Sequence, residues 1–473
     1  MSQIKFGTDG WRAVISDDFT FANVRIVAQA IADYVRHKRS AAHRKNRIVI
    51  GYDTRFLSED YAQTIASVLA ANGIRVILAD RPTPTPSVSY AIIDHGLTGG
   101  VMVTASHNPA RYNGIKYKNS YGASAGPEII SEIEHYLHKN KVRQMPITEA
   151  RSKGLVAVQD IIPQHLKFAI GYVDLPLIKK SGLKILVDSM HGAGDDCFAH
   201  VLAGGKTHLD MIRNNRETSF GGVSPEPKLQ NLTELIRRTR KEGYDLGLAT
   251  DGDADRLGLV GPDGKIVTGQ KIMSILLLHM IEDRKMRGDV VQTICGTGLI
   301  DKICERYRLT MHETPVGFKY IADIMVAGDV LIGGEETGGI GFKKYIPERD
   351  GIMTGLLIME MLAMRRKRLP EILRWVDKEY GTYEYRRMDI AYPSGLKKRL
   401  MDTLHKRPLR SVLGRKVVAI KAFDGHKFMC EDESWILFRL SGTEPILRIY
   451  AEASTEERAL AMLAYGKKMA LSV

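Results

Sequence analysis

Arg47-Ile-Val-Ile-Gly-Tyr-Asp53 is an apolar run too short for a helix, and it ends in a polar turn. After it, Ile65, Val68 and Leu69 recur at helical spacing between Tyr61 and Asn72, Gly73 closes the helix, and Ile74-Arg-Val-Ile-Leu78 is a second apolar run. Strand, helix and strand in that order predict a βαβ unit. Such a unit implies a mainly parallel sheet covered by helices. Further on, Pro82, Pro84 and Pro86 disfavour regular structure until a helix from Ser87 to Asp94.

The unit recurs twice. Leu183-Lys-Ile-Leu-Val-Asp188, a helix through Phe198 to Leu202, and His208-Leu-Asp-Met-Ile212 make a second copy. Asp289-Val-Val-Gln-Thr-Ile294, a helix from Leu299 to Tyr307, and Leu309-Thr-Met-His312 make a third. The copies share the pattern rather than the sequence, which predicts three similarly built α/β domains. The last stretch differs. An edge strand at Gly381 to Arg387, a helix from Leu396 to His405, and strands at Lys416 to Ile420, Trp435 to Leu440 and Ile446 to Glu452 precede a closing helix from Glu456. Hairpin-like connections with helices on one side read as a smaller C-terminal α+β domain. Four domains suit a chain of 473 residues at about 100 to 200 residues each. The expected divisions are 1–150, 151–257, 258–376 and 377–473.

A content of 44% hydrophobic and 26% charged residues is that of a soluble globular protein. Cys197, Cys295, Cys304 and Cys430 have no metal-binding spacing, so they read as reduced packing residues of a cytoplasmic protein. The first ten residues contain no apolar signal core, and the run from Met273 to Ile281 is too short to span a bilayer. A net charge of +13 raises the question of nucleic acid. The basic residues are dispersed, however, and the two runs, Arg36 to Arg39 with Arg44-Lys45 and Arg365 to Arg368, fall near helix ends, where they complement the helix dipole. No aromatic platform accompanies them.

Four loops have the composition of chemistry. In Val101-Met-Val-Thr-Ala-Ser-His-Asn-Pro109 a strand runs into a sharp turn carrying Ser106, at the strand end where ligands of α/β sheets bind. A serine that only caps the turn is the plain alternative; His107 and Lys116 favour phosphoryl exchange, because a hydroxyl nucleophile needs a base or a charged partner. Thr250-Asp-Gly-Asp-Ala-Asp-Arg256 alternates Asp251, Asp253 and Asp255 so that three carboxylates can converge on one hard cation. It is not an EF-hand: the sixth position is Arg256 and the twelfth Pro262. Gly333-Gly-Glu-Glu-Thr-Gly-Gly339 offers carboxylates and a hydroxyl suited to sugar hydroxyls. Arg439-Leu-Ser-Gly-Thr-Glu-Pro445 combines an arginine, two hydroxyls and a glycine, the makings of a phosphate cradle.

Taken together, Gly7-Thr-Asp-Gly-Trp-Arg12, Thr104-Ala-Ser-His-Asn-Pro109, Asp251-Gly-Asp-Ala-Asp-Arg256, Gly334-Glu-Glu-Thr-Gly338 and Arg439-Leu-Ser-Gly-Thr443 resemble the α-D-phosphohexomutase superfamily, in family order and over the whole chain. The resemblance implies four domains around a central cleft, each contributing one loop. It implies that Ser106 carries the phosphoryl group and that Asp251, Asp253 and Asp255 hold Mg²⁺, with a phosphoserine oxygen of Ser106 as a further ligand. By the same resemblance Arg439, Ser441, Gly442 and Thr443 bind the substrate phosphate, and Glu335 and Thr337 contact sugar hydroxyls. Arg12, His107, Lys116 and Arg256 would line the phosphoserine site, with Lys116 as general acid/base, and Lys319 would be a further substrate contact.

Two details bear on the sugar. Family members usually have serine where Thr337 stands. The pair Glu335 and Glu336 looks like phosphoglucomutases, whereas the phosphoglucosamine branch usually has glutamine and histidine at the positions of Glu336 and Gly339. The expected reaction interconverts hexose 1-phosphate and hexose 6-phosphate of glucose, mannose or both, with a hexose 1,6-bisphosphate as activator. The expected partners are small sugar phosphates, with neither nucleic acid nor membrane, for a monomer or homodimer whose C-terminal domain hinges near Lys378 to Gly381. A phosphoglucosamine mutase is the alternative, and a sugar-phosphate phosphatase or a basic nucleic-acid-binding module are rivals that use fewer of the loops.

Overall fold

A computed structural model describes residues 4–7, 9–38, 46–441 and 445–472 of the chain. Its first sheet contains β1 (Trp11–Val14), β2 (Arg47–Tyr52), β3 (Arg75–Ala79), β4 (Gly99–Val103), β5 (Tyr112–Lys118) and β6 (Val156–Gln159), in the order β1-β5-β4-β2-β3-β6. The expected unit is its centre: β2 is parallel to β3, and the helix Ser58–Ala71 crosses between them. β4 and β6 extend the parallel part, whereas β5 and β1 run antiparallel. The helix expected from Ser87 begins earlier, at Thr85, because Pro84 caps it and Pro86 falls in the first turn, where a missing N–H costs nothing.

The second and third sheets repeat this plan. β7 (Lys184–Asp188) is parallel to β8 (His208–Ile212) and β9 (Leu246–Thr250); β9 then turns back into β10 (Leu257–Val260), which pairs with β11 (Ile266–Val267). β12 (Asp289–Thr293) is parallel to β13 (Met311–Thr314) and β14 (Val330–Gly334), and β14 turns back into β15 (Ile340–Phe342). The last sheet is antiparallel: β16 (Glu384–Ala391), β17 (Ser411–Val412), β18 (Arg415–Lys421), β19 (His426–Cys430), β20 (Trp435–Leu440) and β21 (Ile446–Ala453), ordered β16-β21-β20-β19-β18-β17. The fold is thus three mixed α/β units and a C-terminal α+β unit.

This repetition places the chemistry. The loops with Ser106, with the three aspartates, with Glu335 and with Arg439 connect the antiparallel pairs β4/β5, β9/β10, β14/β15 and β20/β21. Each of the first three is the tip of a hairpin whose stem is fixed by a ladder, and Arg439 stands within the ladder of the fourth pair. Buried stem residues such as Val101, Leu248 and Ile332 anchor the first three in apolar cores.

The first unit has its own core, whereas the second and third share one. They share it through the helix Gly351–Arg365, which is buried on nearly every side because its sequence is apolar all round. In β20, Ile436 and Phe438 face Met462 and Leu463 of the closing helix Glu456–Leu471, while Trp435 and Leu437 face Ile294 and Cys295 of the third unit. The sheets do not stop at the expected divisions. β6 lies beyond residue 150 because it completes the edge beside β3, and β10 crosses the division after 257 because hairpin partners cannot be separated. Among the described residues no helix is long and apolar enough to cross a membrane.

Candidate active site

Ser106 owes its position to a buried guanidinium. Arg55, with no exposed surface, pairs with Asp53 at 3.0 Å and donates to the carbonyls of Ser106 (2.6 Å), Asn108 (2.7 Å), Pro109 (2.9 Å) and Tyr112 (3.0 Å). Asp53 also accepts from Thr104 Oγ1 at 2.6 Å, and Thr104 Oγ1 accepts from the Ser106 amide at 2.8 Å. Ser106 is held at φ 52, a left-handed conformation that a non-glycine residue adopts only under such constraint. Its Oγ donates to Asp251 Oδ2 at 3.0 Å and lies 3.2 Å from His107 Nδ1. Desolvation, with the charges of Arg256, Arg12, Lys228 and Lys116, holds the His107 pKa well below the usual imidazole value.

The aspartate loop reaches Ser106 because residue 252 is glycine: a Cβ there would stand 2.4 Å from the Ser106 carbonyl oxygen. Asp251, Asp253 and Asp255 are fully buried, and each offers a carboxylate oxygen within 4.8 Å of the others. Asp253 Oδ1 and Asp255 Oδ1 have no hydrogen-bond partner among the described residues. Burial, then the charges of Asp255 and Asp253, pushes the Asp251 pKa well above the carboxylate range, and Asp255 is raised for like reasons. Burial opposes the charge of Asp253 too, but Lys116 and the Thr85 hydroxyl, 2.6 Å away, hold its pKa low. Crowded all-oxygen donors with unused lone pairs fit a hard divalent cation.

Lys116 Nζ lies 2.8 Å from Asp253, 3.0 Å from Asp9 and 3.3 Å from Asp255. Burial works against its charge, yet these carboxylates raise its pKa beyond that of ordinary lysine. It is therefore a proton donor in this geometry before it can be a base. Arg12 donates to Asn108 Oδ1 at 2.8 Å and pairs with Asp9 at 3.3 Å; Arg256 stands 3.9 Å from Asp255. Lys319, in the first turn of the helix Phe318–Ala327, is drawn toward neutrality by desolvation, against Asp9 and Asp323.

Arg349 is the junction that the sequence reading missed. Its guanidinium contacts Asp255 (2.7 Å), Asp9 (3.1 Å), Glu335 (3.1 Å) and Glu348 (3.3 Å), so it ties the second unit to the first and the third. Asp9, Asp53 and Arg55 were missed as well. Charged residues directly after apolar strands, as in Tyr52-Asp-Thr-Arg55, were the available signal.

The sugar loop closes on itself, with the Glu335 amide donating to the Gly339 carbonyl at 3.0 Å, and docks on the aspartate hairpin, with the Leu257 amide donating to Gly338 at 3.1 Å. Burial raises the Glu335 pKa. Thr337 Oγ1 is buried with no hydrogen-bond partner among the described residues. Glu336 accepts from Thr293 Oγ1 at 3.4 Å, and its charge and that of Arg439 both act on the buried Cys295 thiol of the third unit. Arg439 is steadied by Asp424 at 2.9 Å, which also accepts from the Val316 amide of the third unit at 2.8 Å. The Ser441 carbonyl accepts from Lys397 at 3.0 Å, whereas Gly442 and Thr443 lie outside the described residues.

Models of the phosphoglucomutase/phosphomannomutase family match domain by domain: domain I at residues 3–144, domain II at 163–264, domain III at 268–380 and the C-terminal domain at 405–464. A phosphoglucomutase/phosphomannomutase of Thermococcus kodakarensis is 29% identical over 98% of both chains. A probable phosphoglucosamine mutase of Pyrococcus furiosus is 32% identical over 96% of this chain and 94% of its own. The crystal structure of a Thermus thermophilus protein described as a phosphomannomutase superposes with a TM-score of 0.87 at 32% identity, over 99% of both chains. The chain belongs to the phosphoglucomutase/phosphomannomutase family, whose members are phosphoryl-transferring mutases, and it is an enzyme of that class.

Proposed function

We propose that the enzyme interconverts the 1- and 6-phosphates of glucose, mannose or both, through phospho-Ser106 and a bisphosphorylated sugar. The observation that carries this reading is the placement of Ser106 Oγ, 3.0 Å from Asp251 at the edge of three buried carboxylates, two of which keep an oxygen without a hydrogen-bond partner among the described residues. Asp251, Asp253, Asp255 and a phosphoserine oxygen would hold Mg²⁺, which would neutralise charge on the transferring group. Arg12, Lys116 and Arg256 offset the charge of about −1.5 to −2 on phosphoserine and admit a dianionic substrate.

In the transfer the Ser106 Oγ–P bond breaks while a bond forms from phosphorus to the sugar hydroxyl oxygen. Lys116 returns a proton to Ser106 Oγ and takes up the proton of the sugar hydroxyl, so the proton count balances on one residue. The bisphosphate turns over, and the roles reverse as its other phosphate returns to Ser106. Glu335 and Thr337 orient the sugar, Lys319 adds a cation, and Arg439, Ser441, Gly442 and Thr443 hold the distal phosphate. A hexose 1,6-bisphosphate primes Ser106 as activator.

The sugar loop supports this choice of hexose. A Cβ at position 339 would stand 2.4 Å from Arg349 Cδ, so the histidine usual in the phosphoglucosamine branch displaces the arginine that positions Glu335. Phosphoglucosamine use is the second reading, favoured by the names of relatives such as those of Pyrococcus furiosus and Thermococcus gammatolerans. Parallel assays on glucose, mannose and glucosamine 1-phosphates, with the matching bisphosphate present, test the choice. Higher kcat/KM for glucose or mannose is expected; a clear preference for glucosamine 1-phosphate overturns it.

A further inference from the structure

Ser87, His165 and Asp350 form a hydrogen-bonded chain in the interior, one residue from each of the first three family domains. Ser87 lies in the helix Thr85–Asp94, His165 in the helix Ile162–Tyr172, and Asp350 caps the helix Gly351–Arg365. Ser87 Oγ is 2.9 Å from His165 Nδ1; His165 Nε2 is 2.8 Å from Asp350 Oδ2 and 2.9 Å from the Tyr345 hydroxyl, which donates to the same carboxylate at 2.8 Å. A carboxylate oxygen accepts, so His165 Nε2 donates to Asp350, while Nδ1 meets the Ser87 hydroxyl. The connectivity is that of a hydrolytic triad. With all three residues at 0% exposure, however, Ser87 meets no substrate.

Both ends of the chain sit beside the aspartate hairpin. Two residues before Ser87, Thr85 donates from its amide to the Asp253 carbonyl at 2.9 Å and from its hydroxyl to the Asp253 carboxylate at 2.6 Å. On either side of Asp350, Arg349 holds the Asp255 carboxylate at 2.7 Å and the Gly351 amide donates to the Ala254 carbonyl at 3.1 Å. Two helix N-termini from different domains therefore grip consecutive residues of one loop, and His165 joins those two termini. We propose that His165 is a positioning residue for the metal centre, fixing the separation of Thr85 from Arg349 and through them the spacing of the Asp253 and Asp255 carboxylates. The inference rests on reading the aspartate loop as a metal centre.

Calorimetric titration of Mg²⁺ into the purified protein, without sugar phosphate, tests it. The Kd for Mg²⁺ should rise about tenfold or more in His165→Ala and in Ser87→Ala, the range seen when groups behind metal ligands are removed. KM for the hexose phosphate at saturating Mg²⁺ should rise less than the Kd for Mg²⁺, because neither residue touches the sugar loop and the route to it runs through the contact of Arg349 with Glu335. Wild-type Mg²⁺ affinity in either folded variant overturns the proposal, as does a loss of sugar affinity equal to the loss of metal affinity, which marks a merely structural role. If His165→Ala does not fold, Ser87→Ala, which removes a single hydroxyl, decides. Absence of Mg²⁺ binding by the wild-type protein defeats the metal reading itself and the inference with it, and is distinguishable from a wild-type affinity retained in the variants.

Discussion

Lys116 Nζ lies 2.8 Å from Asp253 Oδ2, a contact that joins a strand of the first sheet to the hairpin tip of the second. Asp9 and Asp255 complete the lysine's surroundings, so one buried ammonium already neutralises part of the aspartate cluster. Replacing it with a neutral side chain removes a competitor of the metal as well as a proton donor. Lys116→Met should bind Mg²⁺ more tightly than the wild type by calorimetry, while kcat falls by about 10²- to 10⁴-fold. Weaker metal binding in that variant would contradict the competition.

The same cluster gives a pH dependence with a definite sign. Burial and mutual repulsion raise the pKa of Asp251 and of Asp255 above the ordinary carboxylate range. A raised folded-state pKa contributes stability that is full below the unfolded value of about 3.9 and is lost as pH rises through the folded value. A bound cation needs the ionised carboxylates and displaces those protons, so its affinity weakens as the medium turns acid. The rise in thermal midpoint produced by a fixed Mg²⁺ concentration should therefore be larger at about pH 8 than at about pH 5.5. An equal rise at both would count against the ligand assignment.

Gly252 has no side chain because the Ser106 carbonyl occupies the space, 2.4 Å from where a Cβ would stand. Gly252→Ala should push the aspartate hairpin away from Ser106 without removing any ligating side chain. A displacement of about 1 Å at the reacting groups costs on the order of 10²-fold in rate. Steady-state assays should show that loss in kcat, and wild-type turnover would mean that the two loops need not touch.

Thr337 offers a buried hydroxyl with no partner in the protein among the described residues. Removing it forfeits no internal hydrogen bond, so Thr337→Ala should unfold at the wild-type temperature. It should lose about three- to tenfold in kcat/KM, the worth of one net hydrogen bond to substrate. Thr337→Ser, which keeps the hydroxyl and removes the methyl group, should retain activity and alter the ratio of glucose to mannose turnover. Undiminished kcat/KM in Thr337→Ala would remove this residue from the sugar site.

Local pattern made much of the fold legible. The apolar runs at Arg47 to Tyr52, Lys184 to Asp188 and Asp289 to Thr293 are all parallel strands, because a strand buried on both faces needs uninterrupted apolar side chains. No strand is read from the sequence at β19, where His426 and Lys427 open a segment that is nonetheless mostly buried. The hairpins behind the first three functional loops were not read, for they depend on pairing rather than pattern, whereas the hairpin-like connection between β20 and β21 was. The loops themselves were legible through their ordered motifs. Their supports were not: Asp9 meets Arg349 across 340 positions of sequence, and Arg55 reaches a loop 51 to 57 residues away, at separations where spacing carries no signal.

Ser106 as phosphoryl carrier is tested most directly by incubating the purified enzyme with glucose 1,6-bisphosphate labelled in its phosphates, digesting it and locating the label by mass spectrometry. The label should lie on Ser106, be discharged by unlabelled glucose 1-phosphate or mannose 1-phosphate, and be missing from a Ser106→Ala enzyme that has lost nearly all mutase turnover. Label on another residue, or near-normal turnover in Ser106→Ala, would contradict it.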